Sequence, residues 1–175
     1  MIRVLCLGVA AIALASQGLA DDQPRITART LKKDGAIVRG TGQVKISLGE
    51  LLLQGHEGSV NSSIDEMSVQ GGATAQLPPK TSTLLIRFGS HAVVTPLPVV
   101  LKADRITVKD GLLRAKGHIH LEAGERVLDG DSLDCFLNIG DGTLSGNVRE
   151  NGWRTDNQRT DRRGVFILST PEVIK

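Results

Sequence analysis

The chain contains an internal repeat. The segment RGTGQVKISLGE at residues 39–50 returns as RAKGHIHLEAGE at residues 114–125, a shift of 75 residues. Each copy contains the same short motif twice, 29 residues apart. In the motif a polar residue comes directly before a glycine, and a β-branched or small apolar residue stands two positions after it. The motif glycines are Gly42 and Gly71 in the first copy and Gly117 and Gly146 in the second. These matching intervals predict a fold in which one structural unit is used repeatedly.

Apolar and polar residues alternate within the repeats. Val44, Ile46 and Leu48 alternate with Gln43, Lys45 and Ser47, and Ile119, Leu121 and Ala123 alternate with His118, His120 and Glu122. Ile106 and Val108, and Leu133, Cys135 and Leu137, show the same period of two. This is the period of a half-buried β-strand, and the intervening GE, DG and GDG sequences are typical of turns. Because no later segment sustains helical spacing, we predict an all-β fold of stacked antiparallel strands in tandem repeats.

The first residues have the order of a secretory signal peptide. Arg3 precedes an apolar and small run over residues 4–15, and Gly18, Leu19 and Ala20 precede Asp21. The run is shorter than the roughly 20 residues that span a bilayer. We therefore expect residues 1–20 to be a signal peptide cleaved near Ala20, which sends the protein to the periplasm. The alternative is a retained membrane anchor.

Charge and cysteine content exclude several classes of protein. The 21 basic and 19 acidic side chains nearly balance, which argues against a nucleic-acid binder driven by net charge. Residues 21–175 suffice for a single domain. Cys135 is the one cysteine among them, so no internal disulfide is possible after cleavage of the leader. With 3 Phe, 1 Trp and no Tyr in the chain, an interior must be aliphatic.

Two segments break the repeat. The connection at 77–98 is rich in proline, which cannot donate to a central strand ladder. Within it, TLLIRF at 83–88 and AVV at 92–94 are predicted edge strands. The tail at 149–164 is polar and arginine-rich, and VFIL at 165–168 is a predicted last strand.

Residues of metal-binding or catalytic type are present without the spacing that such sites need. His118 and His120 could offer two imidazoles to one metal, but alternation places both on the polar face, so a solvated pair is expected. Asp129, Asp131 and Asp134 lack the spacing of a calcium loop, and turn or strand-edge acids explain them.

Two further features have simpler structural explanations. Cys135 shares a face with Leu133 and Leu137, which favours a small buried residue over a nucleophile. GDGTLSG at 140–146 has neither the lysine nor the helix of a phosphate loop, which favours a hairpin. We therefore predict no enzymatic activity, no metal and no cofactor.

The arginines of the tail are candidates for contacts with an anionic head group. They are Arg149, Arg154, Arg159, Arg162 and Arg163. Guanidinium groups offer forked donors that suit phosphate. A solvated surface is the alternative.

The second copy resembles a known family. Residues 103–148 are similar to the OstA-like domain of periplasmic lipopolysaccharide-transport proteins, the LptA/LptC family. The matching elements are Ala103 and Asp104 before a strand; Ala115, Gly117 and Ile119; Asp131, Ser132 and Leu133; and Gly146, Asn147 and Val148. The earlier copy, at 28–75, is similar but weaker, and the segments 77–98 and 149–164 depart from the family pattern.

The resemblance implies an OstA-like β-jellyroll that holds the acyl chains of lipopolysaccharide and carries or bridges it from the inner to the outer membrane. Related jellyroll proteins are the implied partners. The predicted interior consists of Val44, Ile46, Leu48, Ile106, Val108, Ile119, Leu121, Leu133, Leu137 and Val148. One alternative is a structural β-repeat scaffold of the cell envelope without lipid cargo. Another is a polysaccharide hydrolase, which depends on the acids at 129–134 alone.

Unpaired backbone groups at the two ends of such a sheet are templates for another chain. The sequence predicts these edge strands near Ile26–Leu31 and Val165–Leu168, each bounded closely by a proline. We therefore expect weak head-to-tail self-association or pairing with a related jellyroll protein.

Overall fold

The computed structural model describes residues 23–77, 83–96, 99–124, 126–151 and 153–154. Its regular elements are thirteen strands. They are β1 (Arg25–Thr27), β2 (Thr30–Asp34), β3 (Ile37–Leu48), β4 (Leu51–Asn61), β5 (Glu66–Leu77), β6 (Thr83–Phe88), β7 (His91–Pro96), β8 (Val99–Lys109), β9 (Leu112–Ala123), β10 (Arg126–Phe136), β11 (Asp141–Ser145), β12 (Arg149–Glu150) and β13 (Trp153–Arg154). Across these residues there is no helix long and apolar enough to cross a membrane.

The strands form one open sheet. Its order is β1-β3-β4-β5-β8-β9-β10-β11-β6-β7, with β2 paired to β3 and β12 to β10. Long antiparallel strands joined by short turns make up most of it, as the alternation predicts, and the all-β prediction is confirmed. One pair departs from the expected antiparallel stack, because β11 and β6 run parallel over residues 141–143 and 85–87.

The β6–β7 hairpin falls between β5 and β8 in sequence, yet β5 pairs directly with β8. The hairpin instead reaches the far end of the sheet and pairs with β11. The prediction that both of its strands are edges is therefore wrong for β6, which has β11 on one side and β7 on the other. Within the described residues β7 is the edge, and its last residue is Pro96, which suits an edge position.

Two-residue bulges explain the repeated glycine motif. At four places a glycine and the residue after it both have positive φ, and the register of the sheet shifts there. The pairs are Gly42–Gln43 (75° and 54°), Gly71–Gly72 (76° and 67°), Gly117–His118 (76° and 45°) and Gly146–Asn147 (73° and 45°). Left-handed backbone is costly for residues with a Cβ, so a glycine in each pair lowers the cost of an extra residue in the strand.

The bulges lie side by side across the sheet. Each faces a single residue of a neighbouring strand or, for Gly42, of the link between β1 and β2, and a Cβ on the motif glycine would lie 2.7–3.2 Å from the Cβ of that residue. The facing residues are Arg29, His56, Asp104 and Asp131, in the order of the four bulges. We call the four bulges and these four residues the bulge line. Because bulges bend strands, the bulge line is where the long strands change direction together.

One aliphatic core fills the inner side of the sheet. It draws on every long strand and includes Leu84, Ile86, Phe88 and Val93 of the β6–β7 hairpin. The hairpin therefore packs against the same interior as the strands of both repeats. Phe88 is the only buried aromatic side chain in the described part of the chain, which fits the expectation of an aliphatic interior.

Candidate functional site

The inner face contains all ten residues that the sequence assigned to the interior. Seven of them are buried, and Leu48, Leu137 and Val148 are partly buried and pack against the same cluster. The alternation in β9 shows the register most clearly. Ile119 and Leu121 are 2% and 0% exposed, whereas the side chains of His118 and His120 are 92% and 39% exposed. The predicted inward and outward faces are thus correct.

The inner face is also the part of the molecule best suited to an apolar ligand. Its largest fully buried side chains are leucine and isoleucine, such as Leu53, Leu101 and Leu128. These side chains pack closely against one another, so a ligand could enter only if they moved apart. Aliphatic side chains adapt to new neighbours more easily than aromatic rings because they have more rotamers to choose from.

The arginines of the tail are mostly outside the described residues. Arg149 begins β12, where it is exposed and aligned with Asp129 of β10. Arg154 belongs to β13, which pairs with β12. Arg159, Arg162 and Arg163 lie outside the described residues, as does the predicted strand at 165–168. The prediction of a head-group site on this set of arginines therefore stays a prediction.

The two histidines of β9 contact different carboxylates. Nδ1 of His118 lies 2.9 Å from Oδ2 of Asp104, and Nδ1 of His120 lies 2.7 Å from Oδ1 of Asp129. Nε2 of His120 also approaches Glu122 at 3.2 Å. Among the described residues no three potential ligands are grouped so that they could hold a metal ion. Both imidazoles instead link neighbouring strands on the outer face.

The outer-face contacts shift the pKa values of two groups. The hydrogen bond that His118 donates to Asp104, together with the negative charge of Asp104, raises the pKa of His118 above its ordinary value. Lys102 lies 2.6 Å from Oε1 of Glu122, and this hydrogen bond and charge lower the pKa of Glu122. Both effects favour the charged forms, and both contacts join β8 to β9.

We expect Asp104→Asn to lower the pKa of His118, because it removes the negative charge that favours the imidazolium. Titration of the imidazole signals by NMR measures this. Asp129→Asn is the matched control, since it removes the partner of His120 instead. The raised pKa means that the stabilisation by this pair is fully present below about pH 6.5 and is lost as the pH rises through the folded-state pKa of His118. An unchanged His118 titration in Asp104→Asn would contradict the assignment.

The three acids of the 129–134 segment engage three different partners. Asp129 contacts His120, Asp131 accepts a hydrogen bond from the Asn147 amide at 2.9 Å, and Asp134 lies 3.7 Å from Arg114. The hydrolase alternative required these carboxylates to converge in a cleft. With each one occupied by a separate side chain, that alternative loses its only support.

Cys135 is buried in the core as the alternation predicts. Burial raises the pKa of its thiol to about 12, with a smaller contribution from the charge of Asp141. The thiolate, which is the reactive form, is therefore scarce at neutral pH. The glycine-rich segment at 140–146 begins at the last residue of the turn after β10 and continues as β11, which pairs antiparallel with β10 and confirms the predicted hairpin.

We expect the Cys135 thiol of the folded protein to resist alkylation at pH 8 and to react fully in denaturant. Mass spectrometry after iodoacetamide treatment measures this. A Cys6→Ser variant leaves Cys135 as the only thiol of the chain. Rapid alkylation under native conditions would show that β10 is not packed as described.

A row of polar contacts beside the bulge line was not predicted. The Gln70 side chain donates to Glu57 at 2.6 Å and accepts from Nε of Arg105 at 3.0 Å, which links β4, β5 and β8. The sequence carried a signal for it, since every motif glycine has a polar residue directly before it. Its partners could not be found by spacing because they lie on other strands.

Comparison with known proteins shows the fold. No family model matches the chain, and no curated protein sequence matches it. Among solved structures it is similar to LptH of Pseudomonas aeruginosa, described as the LptA-homologous periplasmic component of the conserved lipopolysaccharide transport device. The two are 13% identical, the TM-score is 0.52, and the match covers 83% of this chain and 92% of the LptH chain. The chain therefore has an LptA-like β-jellyroll fold.

Proposed function

We propose that this protein is a non-enzymatic, periplasmic component of lipopolysaccharide transport that holds acyl chains against the inner face of its sheet. The observation that carries the proposal is the aliphatic core of an open sheet, which has unpaired strands at both ends of its described part. The fold shared with LptH supports it. Each acyl methylene that leaves water contributes roughly 0.8 kcal/mol, so a few chains suffice for tight binding.

The β6–β7 hairpin is the most suitable route of entry. It joins the rest of the sheet through three aligned pairs with β11 and an ion pair between Arg87 and Asp141. Pairs of long strands such as β8 and β9 are aligned over many more residues. Separation of the hairpin from β11 would therefore break fewer strand contacts than separation of two long strands, and it would uncover the buried side chains of β6.

A photo-crosslinking residue in place of Leu48 tests the proposal. Leu48 is partly buried at the end of β3 and packs against the core, so a larger side chain is tolerated there better than at a fully buried position. We expect crosslinks to purified lipopolysaccharide from Leu48 and none from Lys45, an exposed residue of the same strand. Crosslinking from neither position, or equally from both, would contradict an internal lipid site.

A scaffold without cargo is the second candidate. The observation that favours it is the close packing of the core, in which Ile46, Leu53 and Leu121 are 0% exposed. Thermal unfolding separates the two functions, because a ligand that binds the native state raises its stability with increasing concentration. A midpoint that does not change with added lipopolysaccharide favours the scaffold.

The periplasmic location depends on the leader, which lies outside the described residues. We propose that residues 1–20 are removed and that the mature chain begins near Asp21. N-terminal sequencing of the protein from cells tests this. Recovery of Met1 or Ile2 on membrane-extracted protein would favour the anchored alternative.

Self-association should involve the edge strand β7. The described part of the sheet ends at β1 and β2 on one side and at β7 on the other, and the side chain of Val94 in β7 is 59% exposed. A lysine on an edge strand opposes pairing with another chain. We expect Val94→Lys to weaken concentration-dependent association in sedimentation velocity. Val100→Lys, on the internal strand β8, should not. Equal behaviour of both variants would exclude β7 as the contact.

A further inference from the structure

In one of the four bulges the residue after the motif glycine also lacks a side chain. In three bulges the second residue contacts the residue that faces the bulge. These contacts are Arg29 with Gln43 at 3.3 Å, His118 with Asp104 at 2.9 Å and Asn147 with Asp131 at 2.9 Å. In the remaining bulge the second residue is Gly72, and the facing His56 has no hydrogen-bond partner among the described residues.

A depression of about 430 Å³ lies on the outer face at this position. The backbone of Gly71 and Gly72 forms its floor between His56 and Asp104. The adjacent row of Glu57, Gln70 and Arg105 forms its wall. A Cβ built on Gly72 would have no atom within 4 Å, so the space above the floor is open to a ligand. Glycine in a strand is often found where a ligand approaches the backbone closely.

The residues that line the depression supply both hydrogen-bond donors and hydrogen-bond acceptors. Glu57 and Asp104 supply carboxylate acceptors, and Arg105 supplies guanidinium donors. The Gln70 amide is held in one orientation because it donates to Glu57 and accepts from Arg105. Two carboxylates against one guanidinium make the depression unfavourable for a phosphate. Hydroxyl groups both donate and accept, so a polyhydroxyl ligand satisfies this lining better than an ion of either sign.

We propose that the depression at Gly71 and Gly72 is a saccharide-binding site on the outer face. The site is separate from the inner face, so it does not depend on the binding of acyl chains. The saccharide could belong to the head group of a glycolipid or to a free glycan, and both present the same hydroxyl chemistry. The backbone floor lets a sugar ring lie close to the sheet while the five polar side chains contact its hydroxyls.

The test uses lipid-free saccharides, so that its result is independent of the internal lipid site. The ¹⁵N-labelled mature protein is titrated with maltotetraose and with delipidated core oligosaccharide of lipopolysaccharide. We expect amide signals of Gly71, Gly72 and Gln70 to shift. Shifts with the core oligosaccharide alone point to a glycolipid head group, and shifts with both point to a general glycan site. No shift with either saccharide, or larger shifts of these signals with inorganic phosphate or calcium, overturns the proposal.

A matched pair of variants locates the site. Gly72→Asn restores a side chain at the empty position, and asparagine tolerates the φ of +67°. Gly111→Asn makes the same change at a β8–β9 turn with a φ of +74° and equally open space. We expect Gly72→Asn to weaken saccharide binding at least tenfold and Gly111→Asn to leave it unchanged. Equal binding by both variants, with both folded in thermal melts, overturns the proposal.

Discussion

Leu121→Asp is expected to lower the free energy of unfolding by roughly 4 kcal/mol or more, which is enough to unfold many domains of this size. Leu121 is 0% exposed in the middle of the core, so the substitution removes apolar contacts and buries a carboxylate that has no partner. Ile119→Asp, two residues earlier on the same face, should have a similar effect. Urea denaturation followed by circular dichroism measures both changes.

His118→Ala and His120→Ala are the controls for these substitutions. They lie on the same strand and face outwards, where His118→Ala loses the contact with Asp104 and His120→Ala loses the contacts with Asp129 and Glu122. Ion pairs on the surface contribute little to stability, so we expect both variants to unfold close to the parent protein. If the histidine variants proved the less stable ones, the register of β9 would be shifted by one residue and the inner face would be wrongly assigned.

Gly117→Ala is expected to lower the free energy of unfolding by roughly 2–4 kcal/mol. Gly117 has a φ of +76°, which strains any residue with a Cβ. The added Cβ would also lie 2.8 Å from Cγ and 3.0 Å from Cβ of Asp104, and closest of all to Oδ2. Asp104 cannot move away freely because it is on the neighbouring strand and bonded to His118. Denaturant titration measures the change.

Two comparisons separate backbone strain from steric contact. Gly111→Ala has a similar φ of +74° and nothing within 4 Å of the new Cβ, so it should cost only about 1 kcal/mol. In an Asp104→Gly background, the loss of unfolding free energy caused by Gly117→Ala should fall to the same value, because the obstructing Asp104 side chain is absent. If Gly117→Ala and Gly111→Ala lowered the free energy of unfolding of the parent protein equally, the bulge line would not be tightly packed.

The inner face could be read from the sequence because alternation is a local property of each strand. Val44 and Ile46, or Ile119 and Leu121, need no knowledge of their neighbours to be assigned inwards. The repeated glycines were also visible, but spacing alone does not reveal that Gly117 and His118 both have positive φ. The repeat therefore indicated strands, but it did not show that the strands contain bulges or where they bend.

Contacts between distant strands could not be predicted. The parallel pairing of β6 with β11 joins segments that are distant in sequence. The sequence indicated two edge strands in a proline-rich segment that departs from the repeat, and it gave no partner for either strand. The outer depression has the same origin. Its residues come from β4, β5 and β8, and the feature that creates it is the absence of a side chain at Gly72 rather than the presence of a motif.

The placement of the β6–β7 hairpin also has a consequence for the order in which the chain folds. β6 is made early, but its partner in β11 lies more than fifty residues further along the chain. Until residues 141–143 have emerged, the hairpin has apolar side chains and no strand to join, while β4, β5 and β8 can already assemble from neighbouring segments. Such non-local pairings form slowly, and until they form the unpaired segments expose apolar surface that can aggregate. Before its partner strand is available, this hairpin is therefore the segment that a holding chaperone has most reason to cover.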